Sequence, residues 1–231
     1  MTFSQPNAWV ADHMRADFDL TGFPPGARVL DIGCGCGKNL AALTQKGVRA
    51  NGIDPDASAV EYCRHLGLPA EVGSAEALPA ADDSLDGCLL DGVLQFTDVP
   101  VALREIHRVL RPGGCVLIAT QGTGYALYTM ISRRGKGRLF GLRIMVNAVI
   151  FRLFGRRLPG WWGDTLAFTA NHLNQLVRTV GFEVEATAEG RRFGTLGTFI
   201  YVKACKSPSP YNNAVAMTDT PPIDHLTTCA E

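Results

Sequence analysis

The chain has 231 residues, 46% of them apolar, enough to bury the core of one domain and too many for a disordered body. Lysine plus arginine balances aspartate plus glutamate at 22 each, so no global charge draws the protein to nucleic acid. That neutrality is the sum of two opposed patches. From Asp54 to Asp98 the acids Asp54, Asp56, Glu61, Glu71, Glu76, Asp82, Asp83, Asp86, Asp91 and Asp98 face a single Arg64. No acid then separates Glu105 from Asp164, a span that holds Arg108, Arg111, Arg133, Arg134, Lys136, Arg138, Arg143, Arg152, Arg156 and Arg157.

Taken in chain order, Arg28 to Ile32 reads as a buried strand, Asn39 to Gln45 as a helix and Ala50 to Ile53 as a second strand. A helix over Ala57 to His65 follows, then strands at Ala70 to Val72 and Leu85 to Leu90. Leu103, Ile106, Val109 and Leu110 form one helical face between Val101 and Leu110, and Arg111-Pro-Gly-Gly114 reads as the turn that stops it. Cys115 to Thr120 is a fifth strand. A helix over Asn171 to Val180 precedes two closing strands, Phe182 to Ala186 and Thr198 to Ala204, read as an antiparallel pair. From Lys206 onward Pro, Ser, Thr and Asn predict a disordered tail. Strands alternating with helices predict an α/β fold: a Rossmann-like, doubly wound, mostly parallel sheet covered on both faces.

Seven cysteines (Cys34, Cys36, Cys63, Cys88, Cys115, Cys205, Cys229), odd in number and irregular in spacing, predict reduced thiols in a cytoplasmic protein. The opening MTFSQPNAWVADHM lacks the basic and apolar regions of a secretion signal, and no apolar run is long enough to span a bilayer.

The chemistry concentrates where strands end. In Val29-Leu-Asp-Ile-Gly-Cys-Gly-Cys-Gly37 a strand runs into a loop with glycine at every second position, and a helix follows. Glycines let a ligand sit against bare main chain, and the helix N-terminus favours a carboxylate or phosphate. Asp31, at the strand end, can meet a cation. A dinucleotide fold would want G-x-G-x-x-G, whereas Gly33, Gly35 and Gly37 give G-x-G-x-G. A ligand bearing both carboxylate and ammonium fits better than a pyrophosphate. Asp54, about 20 residues past the loop, can accept both hydroxyls of a ribose. Gly73-Ser-Ala-Glu-Ala-Leu-Pro79 follows the third strand, where an adenine would lie.

VLDIGCGCGKN, GIDPD, SAEALPAADDSLDG, LREIHRVLRPGGCVLIA and LNQLVRTVGFEVE, in this order between Arg28 and Glu185, resemble the class I S-adenosylmethionine (SAM)-dependent methyltransferase family, most of all its quinone-biosynthesis-type members. The resemblance implies SAM as cofactor. It implies that Asp31, Gly33, Gly35 and Gly37 hold the methionine end, that Asp54 binds the ribose with Pro55 beside the adenine, that Ala75 and Glu76 flank the adenine, and that Asp91 lines the reactive methyl. It divides the chain into an N-terminal helical lid (1–27), a SAM-binding core (28–123), a basic and apolar insertion after strand five (124–165), the C-terminal part of the core (166–205) and a tail (206–231).

Departures and simpler readings stand beside these. The family often has an acid at the place of Ser74, and histidine near Gln95-Phe96. Asp91 could instead cap the turn after strand four. Cys34 and Cys36 read as small loop fillers, so no metal is expected. His107 reads as structural, and Glu105 and Arg108 as a solvated helix face. No residue is assigned as catalytic, and His13 near Trp9 reads as a lid residue.

In the insertion, Ile144-Met-Val-Asn-Ala-Val-Ile-Phe151 is flanked by arginines and followed by Trp161-Trp162. A helical wheel sets Arg143 and Asn147 opposite Arg138, Arg152 and Arg156, so a single polar face is lacking. Three readings follow for 133–162: a lid over a pocket, peripheral contact with a membrane, or an oligomer interface. The expected partner is a hydrophobic or amphiphilic small-molecule acceptor, lipid- or quinone-like. A natural-product O- or N-methyltransferase without membrane contact and a non-catalytic SAM-binding regulatory module are the alternatives. Aliphatics interleaved with the basic residues argue against nucleic acid, and the oligomeric state stays open.

Overall fold

The computed structural model describes residues 22–160 and 163–208. His13, Trp9, Trp161-Trp162 and most of the 1–27 and 206–231 segments lie outside the described residues.

Alternation of apolar strands and amphipathic helices builds β1 (Arg28–Ile32), α1 (Lys38–Gln45), β2 (Arg49–Asp54), α2 (Ala57–His65), β3 (Ala70–Val72), β4 (Leu85–Asp91), α3 (Val99–Val109) and β5 (Leu110–Gln121). Then come α4 (Thr123–Ser132), α5 (Lys136–Phe154), α6 (Ala170–Thr179), β6 (Phe182–Glu189), a small hairpin of β7 (Arg192–Phe193) and β8 (Leu196–Gly197), and β9 (Phe199–Lys206). The main sheet has seven strands in the order β3-β2-β1-β4-β5-β9-β6. β9 runs antiparallel to both its neighbours, and the other pairings are parallel. The expected Rossmann-like fold is the one observed.

Strand order reverses between β1 and β4, which opens a crevice at their C-terminal ends. Helices on both faces bury the sheet. Leu103, Ile106 and Val109 of α3 pack with Ile32, Leu90 and Ile118 on one side, while Leu40, Leu43 and Val60 pack with Val29, Leu89 and Leu117 on the other. Asp56, Asp98 and Thr169 cap α2, α3 and α6 through their side-chain oxygens.

Four local expectations are corrected. Arg111-Pro-Gly-Gly114 lies within β5, because Leu110 already pairs with Leu85 across an irregular register. β9 runs through Lys206, whose ammonium is held by Asp83, the His107 carbonyl and the Leu110 carbonyl at 2.6, 2.9 and 2.9 Å, so order continues to the strand's last residue. Glu105 and Arg108 are not a solvated face. Glu105 accepts from the Leu78 amide, and Arg108 donates to Glu105, Asp82 and the carbonyls of Leu78 and Ala80, clamping the loop after β3 onto α3. The thiols are not all reduced: antiparallel register sets Cys115 opposite Cys205, and a disulfide joins them. Cys34, Cys36, Cys63 and Cys88 are free, and Cys229 lies outside the described residues.

Candidate cofactor site

Three carboxylates meet at the C-terminal edge of the sheet. Asp31 is the penultimate residue of β1, Asp54 ends β2 and Asp91 ends β4. Asp31 is only 1% exposed, and its Oδ2 has no hydrogen-bond partner. Burial, reinforced by the charges of Asp91 and Asp54, pushes its carboxyl up to about 7; the Leu40 amide counteracts this in part. A buried carboxylate among two others is a site that a cation would relieve.

The glycine loop arches over this edge. Gly33 has φ +73°, and a Cβ there would sit 2.2 Å from a Val93 methyl, so no larger residue fits. A Cβ at Gly35 (φ +49°) would meet nothing within 4 Å, while its amide donates to Asp54 and its carbonyl accepts from the Cys63 thiol. Gly37 at φ +78° starts α1. The amides of Gly33 and Cys34 both donate to the Ile53 carbonyl at 2.7 and 2.9 Å, fixing the loop against the end of β2. Cys34 is buried against Gly52 while Cys36 is exposed, so the two cysteines have different surroundings.

Asp54 accepts from the Gly35 amide and from the Asp56 amide, each at 2.9 Å, which orients its carboxylate at the loop. Beside it a cleft of ≈ 230 Å³ is walled by Ile53, Pro55, Ala75, Val93 and Phe96, with Asp54 and Glu76 on its rim. Glu76 accepts from the Ser74 hydroxyl and from the Asp98 amide. Asp91 accepts from Asn39 Nδ2 at 3.1 Å, a link from α1 to β4 that no spacing signal announces. Gln95 is 3% exposed and committed inward: it donates to the Gly92 carbonyl and accepts from the Thr120 hydroxyl, both at 2.8 Å. Phe96, by contrast, is exposed at the cleft's lip. Arg157, marked in the sequence only as part of the basic stretch, reaches the Thr97 carbonyl beside the cleft.

A larger cavity of ≈ 650 Å³ opens at the opposite, N-terminal edge of the strands. Its charged groups are already paired, Asp86 with Arg28 and Arg111, and Lys203 with Glu185. The unmet charge lies at the other edge, with Asp31.

Residues 30–118 match the family described as "Methyltransferase domain". Over these residues, under half of its length, the chain is similar to a methyltransferase domain. A ubiquinone/menaquinone biosynthesis C-methyltransferase of Rubrivivax gelatinosus is 42% identical over 93 residues, 38% of this chain and 37% of that protein. A malonyl-[acyl-carrier protein] O-methyltransferase of Serratia marcescens is 35% identical over 103 residues, 43% of this chain and 40% of that protein. The chain thus covers less than half of either relative. A SAM-dependent methyltransferase structure from Methanosarcina mazei aligns with a TM-score of 0.60 at 24% identity, over 81% of this chain and 95% of that one, and shares the fold.

The methyltransferase domain's cofactor is SAM, and the edge just described suits it. An unpartnered buried carboxylate oxygen beside a loop with open space at Gly35 matches a ligand that carries an ammonium. Among the described residues no helix is long and apolar enough to cross a membrane.

Proposed function

We propose that the protein transfers a methyl group from SAM to a small hydrophobic or amphiphilic acceptor, lipid- or quinone-like. One observation carries the reading: the unpartnered, buried Asp31 oxygen flanked by Asp54 and Asp91 at the strand-order reversal. When bound, SAM supplies an electrophilic methyl on a cationic sulfur. The chain's part is to grip and orient. Asp31 takes the ammonium, the main chain of Gly33, Gly35 and Gly37 cradles the methionine end, and Asp54 accepts from the ribose hydroxyls. Pro55, Ala75 and Glu76 bracket the adenine, and Asp91, steadied by Asn39, lines the methionine end. Alignment in a dry site then provides the rate enhancement.

The acceptor class rests on the insertion and on the matched relatives. The insertion over 124–165 is rich in apolar and basic residues, and the matched relatives are named for quinone and acyl-carrier substrates. In this reading residues 28–123 and 166–205 serve the cofactor, and 124–165 shapes the acceptor side of a cytoplasmic enzyme working at a membrane surface.

The test is calorimetry with SAM, followed by incubation of methyl-labelled SAM with a host lipid extract. Label should enter the organic phase, and Asp54→Asn should weaken SAM binding by roughly 10- to 100-fold, the value of charge-assisted hydrogen bonds to the ribose. Absence of SAM binding at millimolar concentration sinks the reading.

A further inference from the structure

The outer side of α5 bears a stripe that cofactor binding leaves unused. Leu139, Leu142, Val146, Val149 and Leu153 recur at alternating spacings of three and four, and all are exposed, Leu153 at 68%. Phe154 (64% exposed) and Ile131 of α4 (56%) extend the surface. Between Arg138 and Arg152 every exposed residue of α5 is apolar.

The polar residues that blur this pattern on a helical wheel are inside. Arg143 is 2% exposed and ion-paired with Asp164 at 2.8 Å. Asn147 is fully buried, donating to the Thr165 carbonyl at 2.7 Å and accepting from the Leu158 amide at 3.1 Å. The outer face is therefore apolar in its middle and basic at both ends. Arg133, Arg134, Lys136 and Arg138 stand at one end, Arg152 and Arg156 at the other, all exposed, and no acid occurs between Glu105 and Asp164.

We propose that this face of α5, with its two basic collars, docks the protein on an anionic lipid bilayer; the inference deepens the lipid-like acceptor reading and rests on it. An apolar strip between cationic ends suits a helix lying in the plane of a headgroup boundary, apolar side chains inward and guanidinium groups on anionic headgroups. Spanning is excluded by Lys136, Arg138, Arg143 and Arg152 within the helix. Pairing of two copies through the same stripe sets collar against collar with no acid on α5 to offset them. Docking this face also suits delivery. α4 and α5 follow directly from the C-terminal end of β5, the sheet edge where the three carboxylates meet. A cavity of ≈ 290 Å³ lined by Arg156, Arg157 and Pro100 shares Phe96 and Thr97 with the cofactor cleft.

The experiment is co-sedimentation of the full chain with vesicles of phosphatidylcholine alone or mixed with phosphatidylglycerol, with SAM affinity measured separately by calorimetry. The chain should pellet with the mixed vesicles at low salt, stay in the supernatant with phosphatidylcholine alone, and be released by high salt. Each collar arginine reversed to glutamate should cost about fivefold or more in partitioning. The double substitution Leu142→Glu, Val149→Glu should lower it at least roughly tenfold while leaving SAM affinity unchanged. Three outcomes overturn the proposal: a wild-type chain that ignores anionic vesicles, a double variant that binds them as wild type does, or a stable dimer that the double variant dissolves. A chain that binds vesicles and not SAM sinks the cofactor reading, whereas one that binds SAM and not vesicles sinks only the docking surface.

Discussion

Asp31 is a carboxylate buried beside two others, and that makes it the most consequential residue of the site. The folded protein holds its carboxyl near pH 7, against an ordinary value of 3.8, so between these pH values the fold keeps a proton that the unfolded chain releases. The stabilising contribution is complete below 3.8 and is lost as pH rises through 7. Asp31→Asn removes the charge and keeps the shape. Without ligand, this variant should melt several degrees above wild type at pH 8.5 and show no advantage at pH 4, in paired calorimetric scans. Its SAM affinity should fall at least roughly tenfold. Wild-type affinity should itself weaken below pH 7, where a proton occupies the site that the ammonium needs. Loss of Tm at pH 8.5 equal to that at pH 4 would refute the argument. Asp31 and Asp54 were legible because glycine spacing and strand ends mark them. Asn39 and Arg157 were not, because their contacts cross 52 and 60 residues of chain and only the folded sheet brings them together.

At the scale of elements, the loop after β3 shows how a helix far along the chain positions a segment of the proposed cofactor site. Arg108 of α3 donates to the Leu78 and Ala80 carbonyls and to Asp82, and Glu105 takes the Leu78 amide, so the loop carrying Ala75 and Glu76 is pinned from α3. Arg108→Met keeps the aliphatic stem and deletes the clamp. It should cost about 2 kcal/mol of stability, raise SAM Kd severalfold, and speed amide exchange in residues 76–84 while β1 and β4 stay protected. Uniform exchange behaviour across the domain would contradict a local clamp. Apolar periodicity revealed most of the helices and strands to within a few residues. It missed the start of β5, since a Pro-Gly-Gly turn signal was overridden by pairing with β4, and it missed the β7–β8 hairpin, two residues per strand. For α5 the wheel set two faces correctly apart, but which face is inside is decided by Asp164 and Thr165, which only tertiary packing supplies.

The whole molecule separates what holds the sheet closed from the proposed cofactor site. β9 completes the sheet by inserting between β5 and β6, and the Cys115–Cys205 disulfide fastens it at the first residue pair of the β5–β9 ladder, a closure across 90 residues. Asp31, Asp54 and Asp91 lie at the opposite edge, at strand C-termini. Cysteine count and spacing could not reveal this bond, because the two partners are brought level only by the antiparallel register of β5 with β9. A loop of this length restricts the unfolded chain by on the order of 4 kcal/mol, so reduction should lower Tm by roughly 10 °C. SAM affinity measured below the transition should stay within about twofold, since no residue of the proposed cofactor site touches β9's far end. Cys115→Ser with Cys205→Ser should reproduce the Tm loss and abolish its dependence on reductant. Alkylation before and after reduction, read by mass spectrometry, should show two additional labelled thiols. If reduction instead weakens SAM binding as strongly as it lowers Tm, the two edges are mechanically coupled and the separation drawn here is wrong.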